Sequence, residues 1–407
     1  MDSLITAAAR ALAAGDPLGA LNSIALREDA SALALRGIAM AQLGDFPRAR
    51  ALIKSATRAF GAKEALSRSR CIVAEAEIAL ASRDLAWPAK ALDHARAILE
   101  AHGDRVNAAH ARYLEVRRAL LIGRIDDADR LLADLNPATL PAALRTAHEL
   151  MTAGIAMRRL QTKPARAALE RATTAARDAR IPALAAEVES AWHILHAPAA
   201  RVIAKGSERP LLLEEVEALL ASKNALIVDA CRLCVRENGA TIPLATRPVL
   251  FTLARMLAQA WPGDVPRDAL ILRAFRIRNA DETHRARLRV EIGRLRTMLN
   301  AHASIDATPR GFALKPVHAR DVAVLALPVE DEYAPLLACL ADGEAWSSSA
   351  LAIALGASQR TVQRALDALA ASGKAQSFGR GRARRWTTPP MPGFTTALLL
   401  PVELAGD

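Results

Sequence analysis

A chain of 407 residues can hold two or three domains with separate cores, and a composition 52% hydrophobic but only 3% aromatic, filled with Ala and Leu, favours helices. The formal charge of +11, with a pI near 10.1, suits a polyanionic partner. With no run of 18 apolar residues, no basic-then-apolar start at Met1-Asp2-Ser3-Leu4, and four Cys only (Cys71, Cys231, Cys234, Cys339), the sequence predicts no membrane span, no leader and no disulfide framework.

The positive charge is clustered. Residues 224–318 carry 15 Lys/Arg against 8 Asp/Glu, and residues 358–386 carry 7 against 1. The first 223 residues carry 31 against 26. An Arg- and Ala-rich genome would raise the basic content everywhere, whereas clustering in two segments points to nucleic acid and an expected cytoplasmic, nucleoid-associated location.

From the N-terminus, a pattern recurs at steps of about 40 residues. Gly44-Asp45-Phe46 precedes Ala49, Leu52 and Ala56; Arg83-Asp84-Leu85 precedes Ala89, Leu92 and Ala95. Gly123-Arg124-Ile125 precedes Ala128, Leu131 and Leu132; Thr162-Lys163-Pro164 precedes Ala165, Ala168 and Leu169. Gly37-Ile38-Ala39-Met40 recurs as Gly154-Ile155-Ala156-Met157. Small residues at these offsets suit the crossing of two antiparallel helices, so residues 1–205 are predicted as stacked helical hairpins. The segment resembles a tetratricopeptide-type solenoid of the long-period kind found in MalT-type regulators; an irregular Ala-rich bundle is the alternative. A solenoid implies a protein partner, self-association or an effector. Trp87, Tyr113 and Trp192 could line its surface or pack inside it, and His94, His102, His110, His148, His193 and His196 show no metal-ligand spacing.

Leu226–Asp229 and Arg232–Arg236 read as short strands, with a turn at Glu237-Asn238-Gly239. Leu244-Ala245-Thr246 is expected to open a helix to about Gln259, Val265-Pro266-Arg267-Asp268 a second, and Glu282–Asn300 forms a third. Ile305–Pro316 closes the segment as a hairpin turning at Pro309 and Gly311. Strands, three helices and a hairpin, with Leu288, Ile292, Leu295 and Leu299 on one face of the third helix, resemble the OmpR/PhoB-type winged helix over residues 224–318. The resemblance implies that this helix enters the major groove. On that basis Arg287 and Arg294 are the base-facing candidates, pointing furthest from the core; Arg285, Arg289 and Arg296 are placed on phosphates or intramolecular carboxylates, and Arg310 on the wing. Each could instead pair with Glu291 or Asp281. Arg310-Gly311-Phe312 is shorter than the family's wing, and no receiver domain precedes the segment.

Asp321–Val329 reads as a linker. Beyond it, helices are expected at Glu332–Ala341, Ala350–Leu355 and Gln359–Ser372, with Ser347 and Ser358 as caps and Leu351, Ile353, Leu355, Val362, Leu366 and Leu369 as packing residues. Ser358-Gln359-Arg360-Thr361-Val362-Gln363-Arg364-Ala365-Leu366 resembles the recognition helix of DeoR/MarR-like winged helices, which predicts a second winged helix-turn-helix domain over 330–388. Gln359, Arg360, Gln363 and Arg364 are its candidate base readers; Lys374, Arg380, Arg382, Arg384 and Arg385 would line a basic wing, or a loop that binds any polyanion. Residues 389–407 form a Pro-containing apolar tail.

Cys231 and Cys234 lack a second pair, and no phosphate loop, dinucleotide fingerprint or nucleophile elbow is present. The sequence therefore predicts a mainly α chain, an α-solenoid followed by two winged helix-turn-helix domains. It is expected to be a regulator of transcription that binds double-stranded DNA, with no enzymatic activity, no cofactor and no membrane contact. The alternative is an adaptor whose winged helices dock proteins.

Overall fold

The computed structural model describes all residues except 1, 62, 86, 276, 329–332, 341–344, 372–373, 380, 382–383 and 388–407. It is mainly helical, with eighteen α-helices and three sheets among the described residues. None of these helices is long and apolar enough to cross a membrane. The chain divides into two compact units. The first comprises Met1–Arg159, Lys163–Ile194 and Tyr333–Asp407; the second comprises Leu160–Thr162 and Leu195–Glu332.

In the first unit the recurring pattern marks the turn into the second helix of each of four pairs. The pairs are α3 (Ala30–Gln42) with α4 (Phe46–Ala59), α5 (Ala65–Ala81) with α6 (Ala89–Ala101), α7 (Arg105–Leu121) with α8 (Ile125–Ala133), and α9 (Ala142–Arg158) with α10 (Thr162–Ala179). Helices α1 (Ser3–Ala13) and α2 (Pro17–Ile24) precede them and α11 (Pro182–His196) follows. Aspartates start several of these helices: Asp16, Asp29, Asp45 and Asp104 each accept a hydrogen bond from the backbone N–H three residues on, at 2.8–3.2 Å. An N-cap carboxylate satisfies an otherwise orphaned donor and favours the positive end of the helix. The recurring Ala49, Ala56, Ala95, Ala128, Ala165 and Ala168 are fully buried. Gly37 shows why small residues are needed, because a Cβ there would lie 2.8 Å from the Ile53 side chain of α4. Gly154, its counterpart in the repeated tetrapeptide, has room for a Cβ, so the two do not serve the same packing role.

Between α5 and α7 the packing includes buried polar pairs. Arg70 Nε donates to Asp104 Oδ2 at 2.7 Å, and Asn107 donates to the same carboxylate at 2.8 Å. Seven residues further along α5, Glu77 meets His110 Nε2 at 2.9 Å. Tyr113 is buried with its hydroxyl 3.3 Å from His148 Nδ1, and Trp192 donates to Thr173 at 3.1 Å. Trp87 is half-buried and lines a groove of about 710 Å³.

The second unit is built on a six-stranded sheet of order β2-β1-β9-β3-β4-β5. Its strands are β1 (Ala200–Ala204), β2 (Ser207–Leu211), β3 (Ala225–Asp229), β4 (Cys234–Glu237), β5 (Ala240–Pro243) and β9 (Asp321–Ala326), and only β3 and β9 pair in parallel. Alternation along β3 sorts its residues between two cores. Leu226 and Val228 face α13 (Pro248–Ala260), α14 (Arg267–Phe275) and α15 (Glu282–Leu299), whereas Ala225 and Ile227 join Val216 of α12 (Leu213–Ala221). A second sheet, β6-β8-β7, completes the first core with β6 (Asp264–Pro266), β7 (Ala303–Ala307) and β8 (Gly311–Pro316).

Several sequence expectations change here. The expected linker contains β9, a central strand whose Val322–Ala326 are all buried; a strand covered on both faces reads as an unbroken apolar run. Residues 200–204, assigned to the helical half, form β1, which turns through Lys205 and Gly206, both at positive φ, into β2. Residues 224–318 therefore leave out β1, β2, α12 and β9 of this unit. The strand expected from Arg232 begins at Cys234, because Asp229 accepts the N–H groups of Cys231 and Arg232 in a tight turn. The helix expected from Leu244 begins at Pro248; Leu244 is buried and donates its N–H to Leu233. Val265 and Pro266 belong to β6, paired with Phe312 and Gly311, and the helix starts at Arg267.

The C-terminal module, α16 (Ala334–Leu340), α17 (Ser348–Leu355), α18 (Gln359–Ala371), β10 (Gln376–Phe378) and β11 (Arg385–Thr387), belongs to the first unit instead of standing alone. Trp346 and Trp386 exchange backbone hydrogen bonds at 2.8 Å, and both lie in one apolar cluster with Leu80, Leu92 and Leu114 of α5–α7. Leu351, Val362, Leu366 and Leu369 are buried as expected, but Ile353 is exposed and Leu355 only partly covered. The tail over 389–407 lies outside the described residues.

Asp104 both caps α7 and neutralises buried Arg70. Asp104→Ala is expected to cost about 3–5 kcal/mol, because it leaves a buried guanidinium unpaired. Urea unfolding followed by circular dichroism checks this, and a loss near 1 kcal/mol would reduce the residue to a simple cap.

Candidate nucleic-acid interface

Helix α15 starts at Asp281, whose carboxylate accepts the His284 N–H at 2.8 Å and is held below the ordinary aspartate range mainly by that bond. Leu288, Ile292, Leu295 and Leu299 are buried, each contributing about 1.5–3 kcal/mol from burial. At 100° per residue this stripe fixes the rotation of the helix. The line opposite it is Ala286, Val290, Gly293 and Thr297, small and uncharged, with Val290 53% exposed. Arginines flank this line on both sides, Arg287 and Arg294 on one, Arg289 and Arg296 on the other. Of the five arginines, Arg287 and Arg294 lie furthest around the helix from the buried stripe, on one flank of this line.

Each arginine has a defined setting. Arg287 lies over the Phe275 ring, 4.4 Å from its centroid, and Arg294 donates to Glu291 at 2.8 Å. Arg285 and Arg289 approach Glu282 at 3.5 Å, and Arg285 also comes within 3.7 Å of Asp268. Arg296 Nε donates to the Ile305 carbonyl at 2.7 Å, tying α15 to β7. Arg285, Arg287, Arg289, Arg294 and Arg296 are all exposed. Five Arg against two Glu leave the helix strongly positive.

The β7–β8 hairpin is tied back to β6 and α14. Arg267 donates to the carbonyls of Thr308 and Pro309 at 2.9 Å, and Thr308 Oγ1 donates to Asp264 at 2.7 Å. Arg310, expected on the wing, forms an ion pair with Asp264 and remains exposed. Gly311 cannot carry a side chain, since a Cβ there would lie 1.8 Å from the Val265 carbonyl oxygen. Phe275, Asp264 and Arg267 were not among the residues expected from sequence; their roles arise from tertiary contacts that carry no local spacing signal.

In the C-terminal module Ser358 caps α18 by accepting the Thr361 N–H at 3.1 Å. Arg360 and Arg364 lie opposite the buried Val362-Leu366-Leu369 stripe, exposed and without a partner among the described residues. Gln359 and Gln363 are engaged, donating to Ser348 at 3.2 Å and Asp367 at 3.1 Å. Arg384 lies over Trp386 and 3.6 Å from Asp367, Lys374 is exposed, and Arg385 donates to the Arg384 carbonyl at 3.2 Å. Arg380 and Arg382 lie outside the described residues. The two candidate sets, α15 with its hairpin and α18 with its strands, belong to different units.

No group of three or more His, Cys, Asp or Glu that could hold a metal occurs among the described residues. Comparison with protein-family models, with characterised proteins and with solved structures gives no match.

The Asp264 carboxyl is held below the ordinary aspartate range, first by Arg310 and then by Thr308. A depressed folded value means the hairpin tie is present above the unfolded value and is lost as pH falls through the folded one. Amide NMR signals of Thr308 and Gly311 are therefore expected to stay constant from pH 7 down to about 4 and to move only below the usual value near 3.9. Movement centred on pH 5 or above would contradict the tie.

Proposed function

We propose that this protein is a sequence-specific, duplex-DNA-binding regulator of transcription. In this reading α13–α15 with the β7–β8 hairpin form a winged helix of the OmpR/PhoB kind, and α15 is its recognition helix. The observation that carries the reading is the outer surface of α15, a strip of small uncharged residues between two rows of arginine. A strip without bulk lets a helix backbone approach the floor of the major groove, where Ala286, Val290 and Thr297 can meet thymine methyl groups. The flanking arginines then reach guanine edges or the phosphates of the two strands. Stacking on Phe275 and pairing with Glu291 hold Arg287 and Arg294 in place before any partner arrives, which lowers the entropy lost on binding.

The C-terminal module is read as a second winged helix, with α18 as its recognition element and Arg360 and Arg364 as its free cations. The paired helices of the first unit are read as a solenoid that senses a partner or effector or supports self-association. One observation favours an adaptor role for the C-terminal module: it shares its apolar cluster with α5–α7, so part of its surface is already occupied by protein.

The test is fluorescence anisotropy of the full chain with its own upstream DNA and with a scrambled duplex, over a range of salt. Arg287→Ala with Arg294→Ala is expected to lower the preference for the upstream duplex by about tenfold or more. Arg360→Ala with Arg364→Ala is expected to weaken both duplexes and reduce the salt slope by about 2. Salt-insensitive binding, or equal losses on both duplexes for both double variants, would overturn the assignment.

A further inference from the structure

The first unit holds a cavity of about 190 Å³ between α5, α7, α9 and α11. Glu77 and His110 line it and are only 3% and 5% exposed. They bond to one another, Glu77 Oε2 to His110 Nε2 at 2.9 Å, yet Glu77 Oε1 and His110 Nδ1 are buried without a hydrogen-bond partner among the described residues. A buried polar atom left unpaired costs about 1–3 kcal/mol, so these two atoms call for a partner that enters the cavity.

Arg158 lines the same cavity. It is exposed as a residue, and its guanidinium donates to the Gly154 carbonyl at 3.1 Å; no carboxylate pairs with it among the described residues. Desolvation by the surrounding protein draws its pKa below the ordinary arginine value. Arg117, the neighbouring cation, is already paired with Glu187 at 3.2 Å. Arg83, Tyr113 and Glu187 also line the cavity, and the rest of its wall is apolar, with Leu114, Leu120, Leu144, Met151 and Leu184.

We propose that this cavity binds a small α-amino or α-hydroxy carboxylate with an apolar side chain. The ligand's carboxylate meets Arg158, the pairing to which a planar guanidinium is suited. Its ammonium or hydroxyl donates to Glu77 Oε1, and the leucines receive its side chain. A metal ion fits less well, because both carboxylates that line the cavity are already engaged, Glu77 with His110 and Glu187 with Arg117. The proposal supplies a ligand for the helical unit of the regulator proposed above, and it is read out without DNA, so either can fail alone.

The test is isothermal titration calorimetry of the full chain with L-leucine, its 2-hydroxy analogue, 4-methylpentanoate and 3-methylbutylamine. L-leucine or the hydroxy acid is expected to bind about tenfold or more tightly than 4-methylpentanoate, which lacks the donor, and 3-methylbutylamine, which lacks the carboxylate. Arg158→Gln, at an accessible position, is expected to keep the melting temperature and lose about tenfold in affinity for the preferred ligand. Glu77→Gln, where it folds, is expected to abolish the advantage over 4-methylpentanoate. Absence of binding by both α-substituted acids at millimolar concentration, equal binding of all four probes, or undiminished binding by Arg158→Gln would overturn the proposal and leave a water-filled cavity.

Discussion

The burial of four side chains, Leu288, Ile292, Leu295 and Leu299, in the core shared with α13, α14 and β7 decides what α15 can present to a partner. Each lies within about 30° of a common direction around the helix, so the axial rotation of α15 has one solution that keeps them all dry. That rotation turns Ala286, Val290, Gly293 and Thr297 outward and places the arginines as two rows. Arg296 secures it through the Ile305 carbonyl, and Arg267 and Asp264 hold the adjoining hairpin. The cationic face is thus a consequence of core packing, which explains why a core residue far from solvent would control how the arginines are aimed.

Much of this arrangement is legible in the order of the residues. The stripe on α15 follows from helical spacing, and the recurring Ala positions of the first unit follow from the same kind of count. The turn read at Gly44-Asp45-Phe46 falls at the start of α4, where Asp45 caps the helix. Strand β9 lies inside a sheet covered on both faces, so it lacks the polar alternation that distinguishes a half-exposed strand and reads as an apolar linker; β1, half-buried beyond Ala200, follows directly on a long helical segment. The parallel partner of β9, β3, lies more than ninety residues earlier, and no local signal reports a parallel pairing over that distance.

The site is legible to a lesser degree. Residue type and helix face identify the arginines of α15, but not which of them are restrained. Phe275 beneath Arg287, and Asp264 against Arg310, come from other elements and depend on how β6 and α14 approach α15. The same limit applies to Gln359 and Gln363, whose positions suit base reading yet which donate to Ser348 and Asp367. In the helical unit, the pairing of Glu77 with His110 across α5 and α7 is invisible to a search for metal spacing, because the two residues meet through stacking of successive hairpins.

The most direct measurement places a photoreactive benzoylphenylalanine at Val290, midway along the outer strip of α15, and irradiates the full chain with a duplex containing its upstream DNA. Val290 is exposed and outside the buried stripe, so the substitution leaves the core intact. If α15 lies in the major groove, irradiation yields a protein–DNA adduct mapped to residue 290, and unlabelled upstream duplex competes it away better than scrambled DNA. Binding of the duplex with no adduct at this position, or adducts formed equally with any duplex, would contradict the central role given to this helix.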